Sequence, residues 1–293
     1  MLDINPPPPE TAKKHGPNAT FYQTDVASYA SQAEAFAGVC KQPFPLPLPL
    51  TPPFLSFTLT AHGSLILIRD SVATYDRIDA VCLNAGIVDR TSVYRLDSPP
   101  ITPDTPLQIP SEPDLSATDI DLKGVIYGIR LATHFMRYTP ADSNGFGKKI
   151  VITASIAGLA PHPALPEYSA AKAGVVAYVR AVAPVLKEKE GIAISALGPG
   201  LAATAVLPTV VVDAVGQSLL TSVEAIVRAY EAFLDIKGLG AAGEVREVVG
   251  EASDVVVPAR VQTHMAREMY VAVMEPIFQA LHGESGPNAE GLF

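Results

Sequence analysis

The sequence predicts an α/β fold, a doubly wound parallel sheet with helices on both faces, and three features predict it. Short apolar runs ending in glycine or proline alternate with longer segments of helical period along most of the chain. The composition, 48% hydrophobic and 17% charged over 293 residues, supplies apolar surface for one large core. Strands alternating with helices need right-handed crossovers, which lay helices over both faces. We expect a single domain over residues 1–293, with a Pro/Leu-rich insertion at 41–68.

The elements follow in order. FYQTDV (21–26) reads as a short strand, and YASQAEAFAGV (29–39) has helical spacing and alanine content. QPFPLPLPLTPPFLSF (42–57) is neither helix nor central strand, because each proline removes a donor and fixes φ. IDAVCLNAG (78–86) is a buried strand followed by a loop, and the Pro, Ser and Asp of 91–115 continue that loop. A helix is expected over 115–138, with Ser116 as its cap. KKIVITAS is a second buried strand, 166–187 a helix opening on proline, and IAISALGPG a third strand. Residues 201–219 are loop-like, 221–235 a helix capped by Thr221 or Ser222, GEVREVV the last strand, and 263–282 a terminal helix.

A net charge of −9 argues against a nucleic-acid partner, since phosphate binding needs a basic face. The start, MLDINPPPPE, has neither the basic nor the apolar region of a secretory signal. The apolar stretch 54–68 falls short of the roughly 20 residues of a membrane span. Cys40 and Cys82 form no disulfide framework, which fits a reducing cytoplasm. No metal and no membrane partner are expected.

Tyr168 and Lys172 stand in YSAAK, four residues apart, so they share one helix face. Alone, this spacing is common and suits a half-buried tyrosine beside a solvated lysine. Its position gives it weight. The helix follows a strand ending in Ser155, thirteen residues before Tyr168. Other strands end in Asn84-Ala85-Gly86 and in Pro199-Gly200, with Thr204 beyond, and strand carboxyl ends are where open α/β sheets bind ligands. A tyrosine with an ammonium beside it is a plausible acid–base group. The ordinary phenol pKa is about 10, and a neighbouring cation favours the phenolate.

In this order and at these separations, NAG, the serine, YSAAK and PG-x-x-x-T resemble the classical short-chain dehydrogenase/reductase family, over most of residues 1–40 and 69–270. DIDLKGVIYGIRLATHFMR and the tail VPARVQTHMAREMYVAVMEPIF resemble fungal, prostaglandin-dehydrogenase-like members of secondary metabolism. The resemblance implies a Rossmann-like sheet and hydride transfer between a nicotinamide cofactor and an alcohol or ketone. It implies Tyr168 as proton donor, Lys172 on the nicotinamide ribose and Ser155 as donor to the carbonyl oxygen. Asn84, Ala85 and Gly86 would stand beside the cofactor, Pro199, Gly200 and Thr204 beside the nicotinamide amide, and Asp25 and Val26 beside the adenine. Asp3, in LDIN, would accept from the adenosine ribose and so favour NAD over NADP. A small-molecule substrate of apolar character and a homodimer or homotetramer are further implications.

The sequence also departs from the family. It opens at what should be the second strand, so the first strand and the glycine-rich turn that meets the pyrophosphate are expected to be lacking. Residues 41–68 interrupt the helix that should run into YDRID and read like retained intron or a mis-set gene boundary, the rival reading being a PxxP-like ligand for a recognition domain. FLSFTLT or LILI within that stretch is apolar enough to slide into the vacant slot of the sheet. Asp121 stands where the family usually has an asparagine that supports a water, and it adds negative charge near Lys172. His162 either lines the substrate pocket or is an exposed loop residue. The alternative to an active oxidoreductase is a truncated, non-catalytic relative with no cofactor turnover.

Overall fold

The computed structural model describes residues 2–3, 21–41, 65–67, 78–94, 109–138, 145–204, 220–250 and 252–258, with isolated positions near the carboxyl terminus. Its centre is four parallel strands in the order β4 (Ala80–Leu83), β5 (Lys148–Thr153), β6 (Ile192–Pro199) and β7 (Val245–Val249). These are the apolar runs of the sequence. Strands buried on both faces read as continuous hydrophobic text.

Period-two alternation sends successive side chains to opposite faces. Val81, Leu83, Ile150, Ile152 and Ile194 join a core with Phe36, Ile129, Val175 and Val179. Cys82, Val151 and Leu197 face the other way, toward Ala225, Ile226 and Phe233. Burial pushes the Cys82 thiol well above its ordinary pKa, as suits a core residue.

The first face is covered by α1 (Tyr29–Lys41), α3 (Val125–Arg137) and α4 (Pro166–Val185), the second by α5 (Val223–Asp235). Ahead of α3, one turn of helix, α2 (Ser116–Thr118), leads into a π-helical stretch, Asp119–Gly124. A second π-helical stretch, Leu186–Glu190, continues α4 and stops at Gly191, whose φ of 60° suits a residue without a side chain. Pro166–Glu190 is long and apolar enough to cross a membrane by length and composition. Its Val175, Val176 and Val179 are instead buried against the sheet.

The parallel sheet carries an antiparallel strand at each edge. A further strand, β8 (Ala252–Val256), pairs antiparallel with β7, so GEVREVV is not the last. On the far side of β4, β3 (Leu65–Leu67) pairs antiparallel, Ile66 opposite Val81. The run LILI thus supplies hydrogen-bond partners to the outer edge of β4, which a buried strand needs. β1 (Leu2–Asp3) and β2 (Tyr22–Gln23) pair parallel in a separate two-stranded sheet.

One cap is reassigned and one is resolved. Ser116 is the first helical residue rather than the cap, and its backbone N–H donates to Asp114 Oδ1 at 2.9 Å. For α5, Ser222 is the cap and accepts from the Ala225 N–H at 3.0 Å. Thr221 instead accepts from the Gly250 N–H at 3.1 Å. The proline-leucine segment, the loop 205–219 and the terminal helix expected over 263–282 lie outside the described residues, apart from isolated positions in the last.

Candidate active site

Ser155 leaves β5 in extended conformation, at φ −171° and ψ 158°. Its Oγ accepts from the Ala157 N–H at 3.1 Å and so caps a 3₁₀ turn, Ile156–Gly158. That turn lies flat on α4. A Cβ on Gly158 would stand 2.7 Å from the backbone carbon and oxygen of Lys172. Only glycine permits this approach, and the approach fixes the serine beside the helix that carries YSAAK.

The first turn of α4 is anchored from outside. Pro166 opens the helix and Leu165 has no capping side chain, so the next N–H groups need acceptors. Asp89, on the loop after β4, supplies them: Oδ1 accepts from the Tyr168 N–H at 2.8 Å and Oδ2 from the Glu167 N–H at 3.0 Å. A carboxylate also suits the positive end of the helix dipole. The Glu167 carboxylate in turn accepts from the Thr118 N–H at 2.8 Å. Sequence reading passed over Asp89. The signal was a helix opening on Leu-Pro, with no Ser, Thr, Asp or Asn to cap it.

Lys172 points inward from the same helix and is only 2% exposed. Its Nζ stands 5.5 Å from the centre of the Tyr168 ring and donates to the Thr153 carbonyl at 3.0 Å. Asp121, from the π-helical stretch, is fully buried, with Oδ2 3.3 Å from that Nζ. Oδ1 accepts from the Ile87 N–H at 2.9 Å. Oδ2 is an ion-pair partner without hydrogen-bond alignment, so a lone pair remains free in a buried place. Burial raises the Asp121 pKa, and the Lys172 ammonium and the Ile87 N–H pull it back. Burial alone would lower the Lys172 pKa, but Asp121 and Tyr168 outweigh it and the net direction is upward.

Gly86 makes room for this pair. A Cβ there would stand 3.1 Å from Asp121 Oδ2 and 3.2 Å from Lys172 Nζ. Two residues earlier, Asn84 Oδ1 accepts from the Thr153 hydroxyl at 2.7 Å, and the Thr153 oxygen meets the Tyr230 hydroxyl of α5 at 2.5 Å. Neither Thr153 nor Tyr230 was singled out from the sequence, and an apolar helix offers no pattern that marks such a tyrosine.

The remaining expected positions divide. Val26 and Ala85 line one shallow apolar cleft with Leu83, Ile120, Gly124 and Val125. Asp25 is exposed, and its Oδ1 accepts from the Ala27 N–H at 2.9 Å. At the end of β6, the Gly200 N–H donates to the Val248 carbonyl at 2.8 Å. Pro199 precedes it in the same strand end, and Thr204 lies half-buried four residues beyond Gly200. Asp3 sits in the separate two-stranded sheet, and its side chain lies outside the described residues. His162 is exposed, with Nδ1 accepting from the Ala164 N–H at 3.2 Å, so it is a loop residue. Among the described residues, no group of three His, Cys, Asp or Glu side chains is placed to hold a metal ion.

The model for short chain dehydrogenases matches residues 64–213. Short-chain dehydrogenase/reductase prx6 of Penicillium rubens is 41% identical over 214 residues, covering 72% of this chain and 68% of that protein. The chain belongs to the short-chain dehydrogenase family. Short-chain dehydrogenase/reductase prx7 of the same fungus is 32% identical, covering 78% of this chain and 68% of that protein. The fold recurs in 3-oxoacyl-[acyl-carrier protein] reductase from Brucella melitensis in complex with NAD, at a TM-score of 0.60 and 16% identity, covering 85% of this chain and 84% of that one. As a family member the protein is a nicotinamide-dependent oxidoreductase acting on a small molecule.

The chemistry of the residues suits a nicotinamide dinucleotide: Tyr168 and the Lys172 ammonium stand together at the carboxyl end of the sheet, beside the strand end that carries Gly86. The Asp121–Lys172 pair lies buried beneath Gly86, and the cleft of Val26, Ala85 and Ile120 is small and apolar. The glycines at positive φ serve other connections: Gly145 and Gly147 precede β5, Gly191 precedes β6, Gly238 and Gly243 precede β7, and Gly250 follows it. Among the described residues, no glycine-rich turn stands beside the cleft to meet the pyrophosphate.

Proposed function

We propose that this short-chain dehydrogenase interconverts a secondary alcohol and a ketone on a small, largely apolar molecule, with NAD preferred to NADP. The observation that carries the reading is the Lys172 ammonium, buried and held 5.5 Å from the Tyr168 ring at the carboxyl end of the sheet. The bound nicotinamide supplies or takes up a hydride, and the protein's own groups manage the proton and the developing charge.

In the reducing direction, Tyr168 gives its hydroxyl proton to the oxygen of the former carbonyl, leaving a phenolate that Lys172 stabilises. Ser155 donates a hydrogen bond to the same oxygen as charge gathers there. In the oxidising direction the phenolate takes the proton back. Asn84, Ala85 and Gly86 would hold the cofactor from β4, and Pro199, Gly200 and Thr204 from β6. Asp25 and Val26 would border the adenine, and Asp3 would accept from the adenosine ribose and repel a 2′-phosphate.

The same reading takes 1–293 as one domain with an insertion at 41–68. It places the protein in the cytoplasm, as a homodimer or homotetramer, and in secondary metabolism, which its likeness to Penicillium proteins supports. The test is turnover of a panel of apolar secondary alcohols and ketones with each coenzyme. The expected result is activity on at least one pair, with the higher kcat/KM for NAD. No turnover with either coenzyme across the panel contradicts the reading, and preference for NADP removes Asp3 from the ribose.

A further inference from the structure

Asp121 has no exposed surface, yet its carboxylate lies among groups that reward ionisation: the Ile87 N–H at 2.9 Å from Oδ1 and the Lys172 Nζ at 3.3 Å from Oδ2. A buried ammonium with a buried carboxylate beside it is largely neutralised, so its field on a third group is weakened. That third group is Tyr168, whose ring centre is 5.5 Å from the same Nζ. The other groups facing this cluster are known from each neighbouring element. Glu167, on α4, accepts from the Thr118 N–H, and Asp89, on the loop after β4, holds the first turn of α4. From β5 come Ser155 and the Thr153 carbonyl, and from α5 the Tyr230 hydroxyl through Thr153. His162 lies on the exposed loop ahead of the helix. Asp121 is the carboxylate paired directly with the ammonium that faces the Tyr168 ring.

We propose that Asp121 is the counter-charge of Lys172: ionised and buried, it cancels part of the ammonium's pull on Tyr168 and so sets the alkalinity at which that tyrosine surrenders its proton. It touches neither substrate nor reacting atoms and acts through Lys172, as a positioning residue. An asparagine would keep the shape and the Ile87 contact but drop the charge. With the charge gone, Lys172 acts on Tyr168 uncompensated. The protein then works in a more acidic range as an oxidant of alcohols, and loses its reductase activity at a lower pH.

This proposal rests on the acid–base role given to Tyr168 above, and its test separates the two. Tyrosine ionisation is followed by ultraviolet absorption in the protein without substrate, for wild type, Asp121→Asn and Asp121→Ser. The same titration of each in a Tyr168→Phe background is subtracted, which leaves the signal of Tyr168. Near-ultraviolet circular dichroism confirms folding. The expected result is a Tyr168 midpoint about one unit lower in both neutral variants, matched by the pH profile of kcat/KM. An unmoved or raised midpoint in folded variants overturns the proposal, and so does failure of both variants to fold, which would make Asp121 a structural group alone. If the midpoint falls but turnover does not depend on Tyr168, the counter-charge stands and the acid–base reading is the part that fails.

Discussion

At the carboxyl ends of β4 and β5, side chains from distant segments meet. Lys172 binds the Thr153 carbonyl, Thr153 joins Asn84 to Tyr230, and Asp121 pairs with Lys172. On the flank beyond β4, polar contacts are mostly local. Asp25 binds Ala27, Thr24 binds the Tyr22 carbonyl, and Ser28 binds Ser31. Among the described residues, Gln32 ties this flank to the main body, its Nε2 donating to the carbonyls of Val26 at 2.6 Å and Gly124 at 2.9 Å, and Phe36 stacks on Phe135. The difference teaches how the work is divided. The centre proposed for acid–base work is tied by hydrogen bonds between distant segments, whereas the side proposed for the adenosine shares the apolar core through Phe36 but makes mostly local polar contacts.

Two glycine substitutions test that division. Alanine at Gly158 puts a carbon 2.7 Å from the Lys172 backbone, and alanine at Gly124 puts one 2.7 Å from the Val26 carbonyl oxygen. Overpacking of this kind costs about 1–3 kcal/mol. In Gly158→Ala the strain moves Ser155 relative to Tyr168, so kcat is expected to fall about 10²-fold. Gly124→Ala is expected to raise the coenzyme KM more than it lowers kcat. Steady-state kinetics checks both, and equal effects on the two constants in both variants would erase the distinction.

Asp89 ties the loop after β4 to α4, since its carboxylate caps that helix. Asp89→Ala leaves two N–H groups of that helix without their acceptor and is expected to cost about 1 kcal/mol of stability, read by urea unfolding. Asp89→Asn is expected to recover part of the loss, because the amide oxygen still accepts one bond.

The smallest effect lies on the surface. Arg137 Nε donates to Glu190 Oε2 at 2.9 Å, and the second guanidinium nitrogen binds Oε1. This lowers the Glu190 pKa below the ordinary carboxylate value of about 4.3. A lowered folded-state pKa stabilises the fold above the ordinary value, and the gain is lost as pH falls through the lowered one. The pair is largely solvent-exposed on the arginine side, so Glu190→Gln should cost less than about 1 kcal/mol at pH 7. In unfolding experiments the two proteins should become alike once the pH falls below the lowered Glu190 value.

The central sheet was legible because strands covered on both faces must be apolar throughout. YSAAK was legible because four residues make one helical turn. The antiparallel β3 was foreseen as a possibility from the apolar run LILI, but β8 was not: ASDVV carries an aspartate and a serine, and an edge strand needs no continuous apolar text. Ser116 was taken as a cap because Asp119 follows it three residues on, while Asp114, two residues earlier, does the accepting. Asp121 was placed near Lys172 by resemblance, yet its full burial and its aim at Nζ depend on packing between α4 and the π-helical stretch, which sequence spacing does not encode. Asp89 meets α4 across 78 residues, a separation at which no local pattern points from one to the other.

The central claim is that Tyr168 moves the proton, and Tyr168→Phe tests it most directly. The ring stays, so Lys172 and the cofactor contacts keep their places, and only the hydroxyl is lost. Measured with any accepted substrate, kcat is expected to fall by at least about 10²-fold while coenzyme affinity, read by calorimetry, changes little. Turnover close to that of the wild type would contradict the account.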